Sequence, residues 1–287
     1  MKEEDVYLEI LKSGEENTND LKIEFLELLN SNLFKLVQSL KDSNLKVKYH
    51  QRELEGKFFR FGIGNQSLIN LSKGNDSELL DVKTKIVDIF SVFTVTRMQI
   101  DSFGMMYYLL FDKIQEEELN MRYDIYKIHG LTKQSNNQVT GEYAKEMKSK
   151  ILVEIEETKN HLSKNPHFLC LQEGEKNKCL NPSFAKQMKT EELMEKSGMT
   201  KVNYYGMWNL YSNHIHSEHI SDRQFNAMYK NKKGVVDANG TALTLIICLT
   251  ARLCNHLCET FVAAQKKFES FENRNRIHQR IWSGLVD

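Results

Sequence analysis

DLKIEFLELLNSNLFKLVQSL, residues 20–40, is the stretch that decides the fold. Its apolar residues Phe25, Leu28, Leu29, Leu33, Leu36, Val37 and Leu40 recur every three and four positions. That spacing places them on one face of an α-helix and predicts a single buried stripe, with Asp20 as the N-cap. The pattern extends outward from there. Only two prolines and 14 glycines interrupt 287 residues, and the 27% of charged residues stand between apolar ones at helical rather than alternating intervals. The expected class is all-α, a multi-helix bundle with long central helices.

Toward the N-terminus, Ser13-Gly14 predicts the end of a first helix near Lys12. Toward the C-terminus, the glycine-punctuated segment 57–75, with Phe58, Phe59, Phe61 and Ile63, predicts a short irregular or strand-like piece. Asp76 or Ser77 is the expected cap of a long helix reaching Phe111, with Arg97 and Asp101 paired four residues apart. Further helices are expected over 116–131, 145–163, 183–196, 201–220 and 237–271, with Asn165-Pro166 as a break. Two organisations remain open: an N-terminal helical region 1–75 followed by a main bundle 76–287, or one continuous domain 1–287.

Charge narrows the functional classes. Lys+Arg and Asp+Glu balance at 39 each, so any nucleic-acid site is local rather than a global basic field. The acidic start Met-Lys-Glu-Glu-Asp does not resemble a secretory signal, and five unevenly spaced cysteines fit reduced thiols, so a cytoplasmic location is expected. Val87 to Phe111 and Ala242 to Ala264 are apolar, but charges within each span read better as core helices than as membrane spans.

Two segments carry candidate chemistry. Arg122 and His129 lie seven apart on one helix, close to the same face, where histidine could move a proton and arginine could stabilise charge on a phosphate. In YYGMWNLYSNHIHSEH, residues 204–219, a continuous helix would set Tyr204, Trp208, Tyr211 and Ile215 on an apolar stripe and Ser212, His216 and His219 on a polar one. Tyr211, Ser212 and His219 are therefore candidate ligand-binding residues, and a structural hydrogen-bonded pair of Ser212 with His216 is the commoner use of such residues. His214, on the opposite side from His216, stays outside that stripe. No metal or other cofactor is expected: His216 and His219 lack a third ligand, and Cys254, His256 and Cys258 diverge around a helix. Arg274 to Arg280 is a basic run that suits either phosphate contact or a solvated helix end.

The stretch RYDIYKIHG, residues 122–130, followed by Tyr211-Ser-Asn-His-Ile-His216, resembles an uncharacterised family of helical bacterial proteins with a Ser-x-x-hydrophobic-His pattern, matched here by Ser212, Ile215 and His216. The Arg122 to His129 spacing is also similar to that of the HEPN superfamily, although Tyr123 stands where that superfamily carries a polar residue. The resemblance implies a metal-independent ribonuclease of a defence or toxin system, with Arg122, His129 and His216 as catalytic residues, RNA as substrate and a homodimer completing the site. From a different class, a non-catalytic module binding a protein partner or a small ligand fits the same residues.

Overall fold

The computed structural model describes residues 3–15, 18–79, 82–138, 140–199, 204–215, 218–230 and 232–284. Helices dominate, as the spacing of apolar residues requires. In chain order they are α1 (Glu3–Glu15), α2 (Asp20–Asp42), α3 (Leu54–Lys73), α4 (Ile89–Met106), α5 (Glu116–Ser135), α6 (Glu142–Leu162), α7 (Pro166–Leu169) and α8 (Glu173–Leu180). They continue with α9 (Thr190–Lys196), α10 (Gly206–Ile215), α11 (His219–Tyr229), α12 (Lys232–Thr260), α13 (Val262–Glu269) and α14 (Asn273–Gly284). A two-stranded hairpin, β1 (Asn75–Leu79) and β2 (Val82–Ile86), is the sheet among the described residues.

The strand element lies just beyond the segment where it was expected. Residues 57–73 belong to α3, and residues 76–79 and 82–86, expected to be helical, lie in two paired antiparallel strands instead. The reason is that Gly62 and Gly64 are packing positions within a helix rather than breaks. A Cβ at Gly62 would collide with the Phe34 ring of α2, and one at Gly64 would come within 2.6 Å of the Gln99 amide of α4. The helix ends at Gly74, whose φ of 70° favours glycine. In the hairpin, Asp76 pairs opposite Lys85 and Glu78 opposite Lys83, so cross-strand charge complementarity supports a register that local spacing had assigned to a helix. The cap of α4 is consequently Asp88, whose carboxylate accepts from the Ser91 backbone N–H.

The chain partitions into two compact units. The first comprises residues 1–46, 53–104 and 194–287, and the second comprises 47–52 and 105–193. At the centre of the first, α12 packs on α2, α3, α11, α13 and α14. Leu26, Leu29, Leu33 and Leu36 of α2 and Leu243, Ile246, Leu253 and Leu257 of α12 are completely buried, which makes the stripe read from residues 20–40 one wall of the core. Of the helices described, α12 is long and apolar enough to cross a membrane, but most of it is covered by these neighbours.

Inside this core sits a polar network. Asn65 Nδ2 donates to Asn30 Oδ1 (3.1 Å) and Thr250 Oγ1 (3.0 Å), while Gln99 Nε2 donates to Asn65 Oδ1 (2.6 Å) and to the Phe61 carbonyl (2.7 Å). All four side chains are buried. Because Gln99 is fixed by these bonds, it cannot yield to an added methyl group. Gly64→Ala is expected to cost about 1–3 kcal/mol of stability, read from the denaturant midpoint; an unchanged midpoint would mean that the network is looser than its geometry.

The second unit is organised by α5, which packs on α6, α7 and α8. Met121, Ile125, Ile128, Leu162, Phe168 and Cys179 form its core. Asn165 ends the run of α6 as expected and caps α7, accepting from the His167 and Phe168 backbone N–H groups.

Candidate functional site

Arg122 lies in the second unit with its guanidinium turned inward. Its Nη1 donates to Asp112 Oδ2 (2.7 Å) and the Tyr108 carbonyl (3.2 Å), and its Nη2 donates to Glu118 Oε1 (2.7 Å). The same group stacks 4.4 Å from the centre of the Tyr108 ring. Arg122 and Asp112 are both buried. A continuation of α4 as a π-helical turn over Tyr107–Phe111 brings Tyr108 and Asp112 to this position. His129, also on α5, is half-buried, and its pKa is pushed down by burial and by Lys133, against a hydrogen bond with the Ser183 backbone. His216 lies outside the described residues.

The second candidate segment departs from one continuous helix. The helix expected over 201–220 gives way to α10, ending at Ile215, and α11, beginning at His219, so Ser212 and His219 lie on different helices. Ser212 accepts from Arg97 Nε (2.8 Å) and donates to the Trp208 carbonyl (2.9 Å). Arg97 pairs with Asp101 as its spacing predicts and stacks 4.1 Å from the Trp208 ring centre, and Trp208 Nε1 donates to Asp101 Oδ1 (3.1 Å). Burial pushes the Arg97 pKa down to about 10. Ser212 thus fastens α10 to α4. His219 is exposed at the first position of α11.

Tyr211 points the other way, into the first unit. It is fully buried, with its ring 4.8 Å from that of Phe93, and the His214 ring packs against Phe93 (4.7 Å) and Phe90 (5.5 Å). Phe93, Tyr211 and His214, with Leu210, Gln224 and Ala238, help line a cavity of about 310 Å3 with largely apolar walls. Tyr211 Oη is buried with no hydrogen-bond partner among the described residues, and His214 Nδ1 and Gln224 Oε1 are buried on the same wall, where these two side chains interact with each other. A larger and more polar cavity of about 540 Å3 adjoins it through the shared residues Met207 and Thr241. Burial raises the Tyr211 pKa and lowers that of His214, so both side chains are neutral near pH 7.

His214 and Gln224 were missed by sequence reasoning for different reasons. His214 stood in the right segment but was set aside for facing away from His216, whereas Gln224 is an ordinary residue of an exposed-looking helix. A third feature had no local signal. The Asp124 carboxylate, buried on α5, accepts from Tyr49 Oη (2.6 Å) at Oδ1 and meets His161 Nδ1 (2.7 Å) at Oδ2. These three residues come from distant parts of the chain.

Part of the basic run is engaged within the fold. His278 and Arg274 of the basic run both meet Glu9, at 3.2 and 3.1 Å, and Gln279 donates to Asn255. Burial pushes the Cys248 and Cys258 thiols up to about 12 and Cys254 well above its usual value, which keeps them protonated and poorly nucleophilic. Among the described residues no three His, Cys, Asp or Glu side chains cluster as a metal site would require.

Burial also lowers the pKa of His50, His214 and His278 from 6.5. The unfolded chain therefore binds protons near pH 6.5 that the folded chain refuses, and stability falls as pH drops from that value toward the folded pKa values. A lower urea midpoint at pH 5.5 than at pH 7.5, with proton uptake on unfolding, is expected. A midpoint unchanged over that interval would contradict these shifts. No family model, curated protein or solved structure matches the chain.

Proposed function

We propose that the protein binds a small, neutral, largely apolar molecule, with one aromatic ring or two fused rings and a hydrogen-bonding group, in the cavity lined by Phe93, Tyr211, His214 and Gln224. The observation that carries this reading is the unpartnered buried Tyr211 hydroxyl, with the polar atoms of His214 and Gln224 beside it, on an otherwise apolar wall. A buried hydroxyl left unsatisfied costs about 1–3 kcal/mol, and a ligand that hydrogen-bonds to it removes that cost. The volume suits a ligand of this size, since roughly 150 Å3 already accommodates benzene. Neutral Tyr211 and His214 offer no charge to a carboxylate, which favours a phenol, indole or aromatic amide over an aromatic acid.

Titration with phenol, indole, benzamide and benzoate, followed by amide and methyl chemical shifts and by the thermal midpoint, tests this directly. The neutral compounds are expected to shift resonances of Tyr211, His214 and Gln224 and to raise the midpoint, with benzoate much weaker. If none of the neutral compounds does so, or benzoate binds as well, the reading fails. Tyr211→Phe should raise the stability of the free protein by about 1 kcal/mol, because it removes an unpaired buried hydroxyl, and should weaken phenol binding. Loss of stability in that variant would place a hydrogen bond on the hydroxyl.

The ribonuclease reading requires Arg122 to meet phosphate. Its guanidinium is instead held by Asp112, Glu118 and the Tyr108 carbonyl, so the geometry lends that reading no support.

A further inference from the structure

In the second unit, the Asp124 side chain is fully buried, yet its partner His161 is half exposed. A carboxylate with both oxygens accepting hydrogen bonds, from Tyr49 Oη and His161 Nδ1–H, fixes the imidazole tautomer. Nε2 is then left with the ring's free lone pair. Tyr49 completes the mount, its ring centre 4.3 Å from that of His161 at an interplanar angle of 30°. The Arg52 guanidinium lies 4.6 Å from the centre of the same Tyr49 ring, so a cation stands on the ring that carries the imidazole, no more than about 9 Å from it.

A surface histidine needs no buried carboxylate for packing, and burying Asp124 carries a desolvation cost that raises its pKa. The described partners of the ring, Asp124 and Tyr49, include no hydroxyl or thiol positioned for it to activate, because the Tyr49 hydroxyl is committed to Asp124. That leaves the imidazole Nε2 itself as the candidate nucleophile.

We propose that His161 is a phosphoryl acceptor, with Asp124 as its positioning residue and Arg52 as the cation that holds the phosphoryl oxygens. Nε2 attacks phosphorus, the Nε2–P bond forms, and the bond from phosphorus to the donor's leaving group breaks. The ring keeps its Nδ1 proton and becomes cationic, facing the Asp124 carboxylate. With phosphoramidate as donor the N–P bond breaks and ammonia departs from the already protonated amine, so charge and protons balance without another reactant.

Incubation of the full chain with phosphoramidate tests this, read by intact mass, by peptide mapping and by phosphorus NMR of the acid-labile adduct. His161 is expected to be labelled on the order of tenfold faster than the exposed His219 in the same sample, a comparison that needs no variant. Asp124→Asn presents an N–H to Nδ1 and turns the ring to the other tautomer, which should slow labelling at His161 by about tenfold or more, with nitrogen NMR of the ring reporting the switch. Arg52→Gln should slow it several-fold, and raising the phosphoramidate concentration should restore the rate. No adduct, labelling at His161 no faster than at His219, or an Asp124→Asn rate equal to wild type in a protein whose tautomer has switched would each overturn the proposal.

Discussion

Replacing Arg122 with alanine is expected to lower the unfolding free energy by about 3–5 kcal/mol, because it leaves Asp112 buried without its partner. The side chains of Arg122 and Asp112 retain only 6% and 8% of their exposure, so water cannot substitute for the lost guanidinium. Glu118, at 26%, can turn toward solvent and should contribute less. The double replacement Arg122→Met with Asp112→Leu removes both charges and should recover most of the loss, as a buried pair exchanged for apolar side chains often does. Urea unfolding of the three proteins measures this. A loss below about 1 kcal/mol in Arg122→Ala would show that the cluster contributes little. RNA cleaved by the wild type in excess EDTA, but not by a folded Arg122→Ala protein, would instead assign Arg122 a catalytic role.

The second large effect concerns the cavity. Ala238, on α12, lines it, and a tryptophan there would occupy much of the 310 Å3. Ala238→Trp is expected to weaken binding of indole or phenol by about a hundredfold or more, equivalent to roughly 2.7 kcal/mol, while the free protein keeps or gains stability as its apolar wall is filled. Calorimetric titration and a thermal melt separate these effects. Wild-type affinity in a folded Ala238→Trp protein would move the ligand elsewhere. A failure to bind that accompanies unfolding would be explained by overpacking, and Ala238→Leu then offers the milder version of the same test.

Local spacing carried much of the fold. The stripe from Phe25 to Leu40 is legible because helical periodicity is a property of neighbouring residues, and the same holds for the Arg97 to Asp101 pair and the break at Asn165-Pro166. It misplaced the strand element. Glycine has two roles that look identical along a chain, and at Gly62 and Gly64 the deciding fact was the approach of Phe34 and Gln99 from other helices. The hairpin was obscured likewise, since Asp76 with Lys85 and Glu78 with Lys83 meet only when the strands fold back.

The candidate site shows the same division. Tyr211 was legible as an unusual aromatic residue beside histidines, but the side of α10 that mattered was set by packing against α4. Ser212 turned to Arg97, while Tyr211 and His214 turned to Phe93. The sequence by itself determined that the chain is helical, which face of α2 is buried, and that no global charge directs it to nucleic acid. Only the tertiary structure decided that Arg122 is enclosed by carboxylates, that an unpartnered Tyr211 hydroxyl borders one apolar cavity, and that Asp124 backs His161. Helix formation depends on residues within a turn or two of each other, whereas burial and hydrogen-bond partnership depend on segments that meet only after the chain has folded.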